Sequence, residues 1–399
     1  MRNIFIGLSL LVISVSLYAE VFSYKYILGE KYKIVSIVDE SIYLDGAFHH
    51  KARILNKISV EIINTYKDGS AEISANYATS EERTGNVQVY TLSQEYFSDF
   101  VRAKSGKLSI DPSYFMPVVR NVPLFDTKDY EPGDTWEADG YEVHDLRTGY
   151  GIKEAFNFPV KVKYKYLGKG EKDGKEYDLI SIFYTISQRT SDYYSKYPIY
   201  PVKVTGYSDQ TLYWDNEIGR PYAYEEEFSI QFDLSTGSIY EFTGTAGARV
   251  TESEFMDKNV IVRDIQEKLD RERLENAVVN IDDKGVTITL GSINFGADSS
   301  ELSNDEKKKL DVIADILKNY PDRDVEITGH TALAGTADGR LLLSKQRASM
   351  VAGYFISQGA KERDQLLVVG KGATEPIADN STPEGMAQNR RVEITIVEN

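Results

Sequence analysis

The chain has 399 residues, 41% hydrophobic and 27% charged, with a formal net charge of -16 and no cysteine. That length allows two or three domains with separate cores, and the composition is globular. The charge argues against nucleic acid and anionic lipid surfaces, which both need clustered Lys and Arg, and the missing cysteines exclude disulfides, a cysteine nucleophile or metal site, and a lipid-modified N-terminal Cys.

Met1-Arg2-Asn3 gives a short basic start, Ile4 to Leu17 is apolar, and Tyr18-Ala19-Glu20 offers a small residue for cleavage. The pattern predicts a secretory signal peptide over residues 1–19, too short and wrongly flanked for a membrane helix. An uncleaved anchor is the alternative. The mature chain is expected to start near Glu20 as an exported protein of the periplasm, with outer-membrane association left open.

Residues 20–250 read as a mostly antiparallel β region. Val160, Val162, Tyr164 and Tyr166 alternate with Lys161, Lys163 and Lys165, which is the period of a half-buried strand. Asp68-Gly69, Asp173-Gly174 and Ser235-Thr236-Gly237 are hairpin signals between such runs. Pro112, Pro117, Pro123 and Pro132 punctuate a stretch of weaker periodicity, which suggests two subdomains meeting near residues 117–132. The 28 tyrosines suit a half-buried sheet or a membrane interface. Two readings of this region stay open. One is a water-soluble β domain, or two, contacting an envelope protein, a lipid or another apolar ligand; the other is an outer-membrane barrel, which the prolines around residues 105–139 disfavour.

Residues 251–277 read as a charged linker helix, solvated except for Ile261, Ile265 and Leu269 on one face, with Arg273 as a further candidate for that stripe. Beyond it, residues 278–399 alternate strands and helices. Val286–Leu290 is a strand, followed by Ile293-Asn294-Phe295-Gly296. Ser303 offers a cap for a helix with Leu310, Ile313 and Leu317 on one stripe. A strand at Val325–Gly329, a helix from about Asp338 to Gln358 and strands at Leu366–Gly370 and Val392–Val397 complete the series. The expected fold class is therefore multidomain, the N-terminal antiparallel β region being followed by an α/β sandwich.

Ile293-Asn294-Phe295, Gly329-His330-Thr331, Leu343-Ser344-Lys345-Gln346-Arg347-Ala348, Gly370-Lys371-Gly372, Pro376, Asn380 and Asn389-Arg390-Arg391-Val392-Glu393-Ile394 follow one another in this order. In order and spacing they resemble the OmpA-like, peptidoglycan-associating domain family over residues 278–397. The resemblance implies a non-enzymatic grip on the peptidoglycan stem peptide, with Phe295, Gly296, Thr331, Ala332, Arg340 and Arg347 as the binding positions. In the family an Asp after the Gly-His-Thr segment pairs with the ammonium of a diamino acid, and the Arg of the Leu-Ser-x-x-Arg-Ala segment pairs with its carboxylate.

This chain departs from that clamp. Arg347 stands at the Arg position, but Ala332 replaces the Asp and Arg340 replaces a usual Asn. Three readings follow: a pocket for another wall chemistry, with Asp338 or a loop carboxylate taking the amine; a pocket for a more anionic group held by Arg347 and Arg340; or a scaffold that has lost the ligand. Arg347 paired with Asp338 is the plain structural alternative.

Of the four histidines, His49, His50, His144 and His330, the adjacent pair is expected to point to opposite faces of a strand, so no metal is expected. No nucleophile elbow, phosphate loop or zinc spacing is present. No enzyme activity, cofactor or nucleic-acid partner is expected.

Overall fold

The computed structural model describes residues 20–83, 89–252, 257–274, 277–282, 284–291 and 302–398. The expected signal peptide and the segment carrying Phe295 and Gly296 lie outside the described residues.

The N-terminal strands are β1 (Glu20–Val21), β2 (Lys31–Leu44), β3 (Ala47–Thr65), β4 (Ala71–Arg83), β5 (Val89–Arg102), β6 (Leu108–Ile110) and β7 (Val119–Arg120). After them come β8 (Asp129–Tyr130), β9 (Thr135–His144), β10 (Phe156–Lys172), β11 (Lys175–Arg189), β12 (Pro201–Asp215), β13 (Arg220–Leu234) and β14 (Ile239–Glu252). Strands β9 to β14 pair in sequence, each antiparallel to the next. Strand β14 then returns to β2, and the sheet continues through β3, β4 and β5. Strands on both sides of residues 117–132 thus belong to one sheet. Asp173 and Gly174 join β10 to β11 with positive φ at both positions (52° and 78°), the conformation that matches a turn to right-handed strand twist.

The two ends of this sheet are drawn together. Short β6 adds to β5 and β7 adds to β9. Between them, Ser98 Oγ on β5 donates to Met116 O (2.8 Å) and Val143 N on β9 donates to Val118 O (2.8 Å). Residues facing the enclosed side form the core. On β10, Val160, Val162, Tyr164 and Tyr166 are buried while Lys161, Lys163 and Lys165 are exposed. Much of the tyrosine is spent here: Tyr130, Tyr164, Tyr166 and Tyr184 pack with Phe22 and Trp214. Tyr32 and Tyr77 pack with Ile62, Ile73 and Phe100 at the other end. Each such side chain contributes on the order of 1.5–3 kcal/mol by leaving water.

The expected separation of His49 and His50 does not hold. The β2–β3 register slips between Ile42 and Tyr43, where the hairpin partners pass from His50 to Phe48. The extra residue breaks the alternation on which that expectation rests, and the two Nδ1 atoms lie 2.6 Å apart. Among the described residues no group of three His, Cys, Asp or Glu could hold a metal ion.

The C-terminal sheet has the order β15 (Ala277–Ile281), β16 (Gly285–Gly291), β19 (Arg391–Val397), β17 (Val325–His330), β18 (Leu366–Gly372). Only the β17–β18 pair within it is parallel. The helix Asn304–Leu317 starts at Ser303, whose side chain accepts from Glu306 N, and its Leu310, Ile313 and Leu317 are buried. The helix Ala337–Ser357 adds Ala348, Val351, Ala352 and Phe355 to the same core. The charged helix, Lys258–Arg271, buries Ile261, Ile265 and Leu269 there too, rather than standing in solvent between domains. Arg273 lies past its end with φ 52° and is not part of the stripe.

Strand β5 belongs to both sheets. Thr91 pairs in parallel with Val368 of β18, and Val89 is buried in the C-terminal core.

Candidate functional site

The motif residues converge where β17 and β18 end against the start of the helix Ala337–Ser357. Strand β17 is buried along its whole length, so it holds the next two residues firmly. Thr331 N donates to Gly372 O (2.8 Å), fixing the exit of β17 to the end of β18. The loop then turns tightly, Ala334 N donating to Ala332 O (2.9 Å). Thr336 caps the helix, its hydroxyl accepting from Gly339 N (3.2 Å).

Glycine makes this junction close enough. A Cβ on Gly329 would sit 2.1 Å from Ser344 O, and one on Gly370 would sit 2.3 Å from Lys345 Cγ. The helix therefore rests directly on the strand backbones. Ser344 Oγ, fully buried, accepts from Gly372 N (2.9 Å) and donates to Leu341 O (2.8 Å).

Arg340, Ser344 and Arg347 fall at i, i+4 and i+7, on one stripe of the helix. Arg340 Nη1 donates to Gly335 O (2.5 Å), so this guanidinium braces the loop. Arg347 is half-buried, two turns further along. Thr331 and Ala332 are both buried. The Thr331 hydroxyl oxygen has no hydrogen-bond partner among the described residues. Asp338 is exposed in the first turn of the helix. The structure thus brings Thr331 and Ala332 to the strand end that abuts the helix bearing Arg340 and Arg347; Phe295 and Gly296 lie outside the described residues.

A second tier holds the loops. Asn380 Oδ1 accepts from Leu333 N (3.0 Å). Asn389, fully buried, accepts from Ile377 N (2.8 Å) and Ala378 N (3.1 Å) and donates to Ala378 O (2.8 Å). Arg391 Nε donates to Glu393 Oε1 (2.7 Å), while Glu393 Oε2 lies 3.3 Å from His330 Nε2. Burial opposes the charge on Glu393, but the His330 contact and the Arg391 guanidinium outweigh it and hold the carboxyl down to about 2. Glu393 enters only as a member of the motif: Arg391 is two residues away on the same strand, but His330 comes from β17, which spacing does not show. The short helix Pro383–Asn389, capped by Thr382, is not among the elements expected from the sequence, although Pro383 at its first turn is a start signal.

The model of the OmpA family matches residues 294–390. The C-terminal domain belongs to the OmpA family. The OmpA domain is 43% identical over 109 residues to the peptidoglycan-binding protein ArfA of Mycobacterium tuberculosis, covering 27% of this chain and 33% of that protein. It is 38% identical over 136 residues to the probable lipoprotein YiaD of Escherichia coli, covering 33% of this chain and 62% of that one. The chain thus spans less than two thirds of either relative. A solved outer membrane protein from Borrelia burgdorferi shares 32% identity over 30% of this chain and 96% of its own, with a TM-score of 0.26.

Proposed function

We propose that this protein is a non-catalytic component of the cell envelope whose OmpA domain associates with peptidoglycan through the site around Thr331 and Arg347. The observation that carries this reading is the buried Thr331 hydroxyl beside Ala332, which has no hydrogen-bond partner among the described residues. A buried polar group without a hydrogen bond costs about 1–3 kcal/mol, a cost that a polar atom of a bound ligand would remove. The similarity to a peptidoglycan-binding protein supports the choice of ligand.

In this reading Arg347 takes the carboxylate of the stem peptide, for which a planar guanidinium is well matched. Thr331 adds a neutral hydrogen bond, and Arg340 holds the loop in shape. Ala332 offers nothing to an ammonium group, so the amine end of the ligand is met by Asp338 or by water. The N-terminal sheet presents lysines outward from β10. A lipid-facing strand presents the opposite alternation, which favours an aqueous periplasmic location for it.

The test is co-sedimentation of the mature chain with peptidoglycan from its own organism and from a diaminopimelate-containing one. Losing one partner of a desolvated charge pair costs about 2–5 kcal/mol, so Arg347→Ala should lower wall affinity roughly thirtyfold or more. Ala332→Asp should strengthen binding to the diaminopimelate wall. A chain that sediments with neither wall, whatever stands at 347, is a scaffold instead.

A further inference from the structure

The N-terminal sheet encloses a cavity of about 340 Å³, within the range of small-molecule sites of about 300–1,000 Å³. Ile34, Ile58, Met116, Leu212 and Val250 give it apolar walls. One polar group in it has no charge to answer it. Arg102, the last residue of β5, lines the cavity with its guanidinium carbon 5.0 Å from the Tyr24 ring and 5.4 Å from the Phe100 ring. Its electrostatic neighbours are the phenols of Tyr24, Tyr26, Tyr32 and Tyr77, and no carboxylate among the described residues pairs with it. Burial pushes the Tyr24 hydroxyl up to about 12, so that phenol offers a π face and a hydroxyl but no countercharge at neutral pH.

The contrast with the other lining charges is instructive. Arg220 is ion-paired to Glu30 at 2.6 Å. Glu226 receives a hydrogen bond from Ser208 (2.7 Å), and burial raises its pKa. Arg249 reaches the rim but is exposed to solvent. Arg102 is thus the desolvated lining cation that no carboxylate among the described residues pairs with. A cation among aromatic faces with no acid partner favours an incoming anion, and the apolar walls favour an alkyl chain behind it.

We propose that this cavity binds one amphiphilic anion, a single unbranched alkyl chain ending in a carboxylate or a phosphate. The head group meets Arg102, and the chain lies along Ile34, Ile58 and Val250. This site is separate from the OmpA domain, so it stands or falls independently of wall binding.

The experiment is calorimetric titration of the full mature chain at neutral pH with dodecanoate, dodecyl phosphate and dodecanol, each below its aggregation limit. Saturable one-to-one binding of at least one anion is expected, about tenfold or more tighter than the alcohol, a gap of the size of a charge-assisted hydrogen bond. The stronger anion identifies the head group. Shortening the chain to decanoate should weaken binding by roughly fourfold per methylene. Arg102→Leu should bring the anion down to the level of the alcohol while leaving the alcohol unchanged, and Ile58→Trp should fill the cavity and abolish both. No saturable binding of either anion, or an alcohol bound as tightly as the anions by the unaltered protein, would overturn the proposal even if neither variant folds.

Discussion

Lys33 on β2 places its ammonium 3.1 Å from Asp324 Oδ2, joining the N-terminal sheet to the residue that leads into β17 across 291 positions of chain. Lys57 on β3 reaches the other oxygen of the same carboxylate at 2.7 Å. All three side chains are largely buried, with Lys33 at 7%, Lys57 at 11% and Asp324 at 19% exposure. Burial works against the charge on Asp324, but the two ammoniums outweigh it and hold its pKa below the usual carboxylate range. Removing the shared carboxylate would strand two buried cations, so Asp324→Ala should destabilise the protein by about 3–5 kcal/mol. Chemical denaturation monitored in both sheets checks this. A change under about 1 kcal/mol, as for a surface pair, would mean the cluster is wet.

Thr331 gives a prediction in the other direction. If its hydroxyl is kept for a ligand, Thr331→Val should stabilise the free protein by about 1 kcal/mol, by removing an unanswered polar group. The same change should weaken co-sedimentation with peptidoglycan. Gain of stability without loss of binding would leave the hydroxyl without a role.

Glu393 sets an acid limit on the OmpA domain. Its folded pKa, about 2, lies below the value of about 4.3 for an unfolded glutamate. Its stabilising contribution is therefore complete above about pH 4.3 and is lost as the pH falls from there through 2. Glu393→Gln should lower stability at pH 6 by about 1–3 kcal/mol, the worth of hydrogen bonds to a charged group. It should also flatten the fall in stability between pH 4 and 2, as followed by thermal melts across that window.

Glu40 behaves oppositely. Burial, with the nearby Glu81 charge second, raises its pKa to about 7. A carboxyl whose folded pKa is raised loses stability for the protein as the pH climbs from its unfolded value of about 4.3 through 7. Glu40→Gln, which matches the protonated carboxyl in shape, should leave the melting temperature unchanged near pH 4 and raise it at pH 8. Equal melting curves at both pH values would show that Glu40 is solvated.

What could be read in advance was what neighbours in sequence decide. The alternation of Val160 to Tyr166, the stripe of Leu310, Ile313 and Leu317, and the cap at Ser303 each depend on a few adjacent residues, and each appears where expected. The order of the OmpA motif placed Thr331 on a strand exit and Arg347 on the helix that abuts it. What escaped was decided by partners far away in the chain. Nothing near Val89 announces that it packs with residues of the C-terminal sheet, and Ile261, Ile265 and Leu269 have the same spacing whether they seal a core or a loose connector. Arg102 looks like any strand-end arginine until Tyr24, Tyr32 and Tyr77 arrive from three other segments. The bulge at His49 is a local slip that simple alternation cannot foresee.

The double membership of β5 has a mechanical consequence. A backbone bridge from Thr91 to Val368, with the Lys33–Asp324 contact beside it, gives tension a route between the two halves that bypasses the covalent connector after β14. If the C-terminal loops are held by a stiff meshwork, a tug there loads that seam sideways, in shear. The N-terminal sheet would then travel with its anchorage as one body, at a fixed standoff, instead of swinging like a tethered ball.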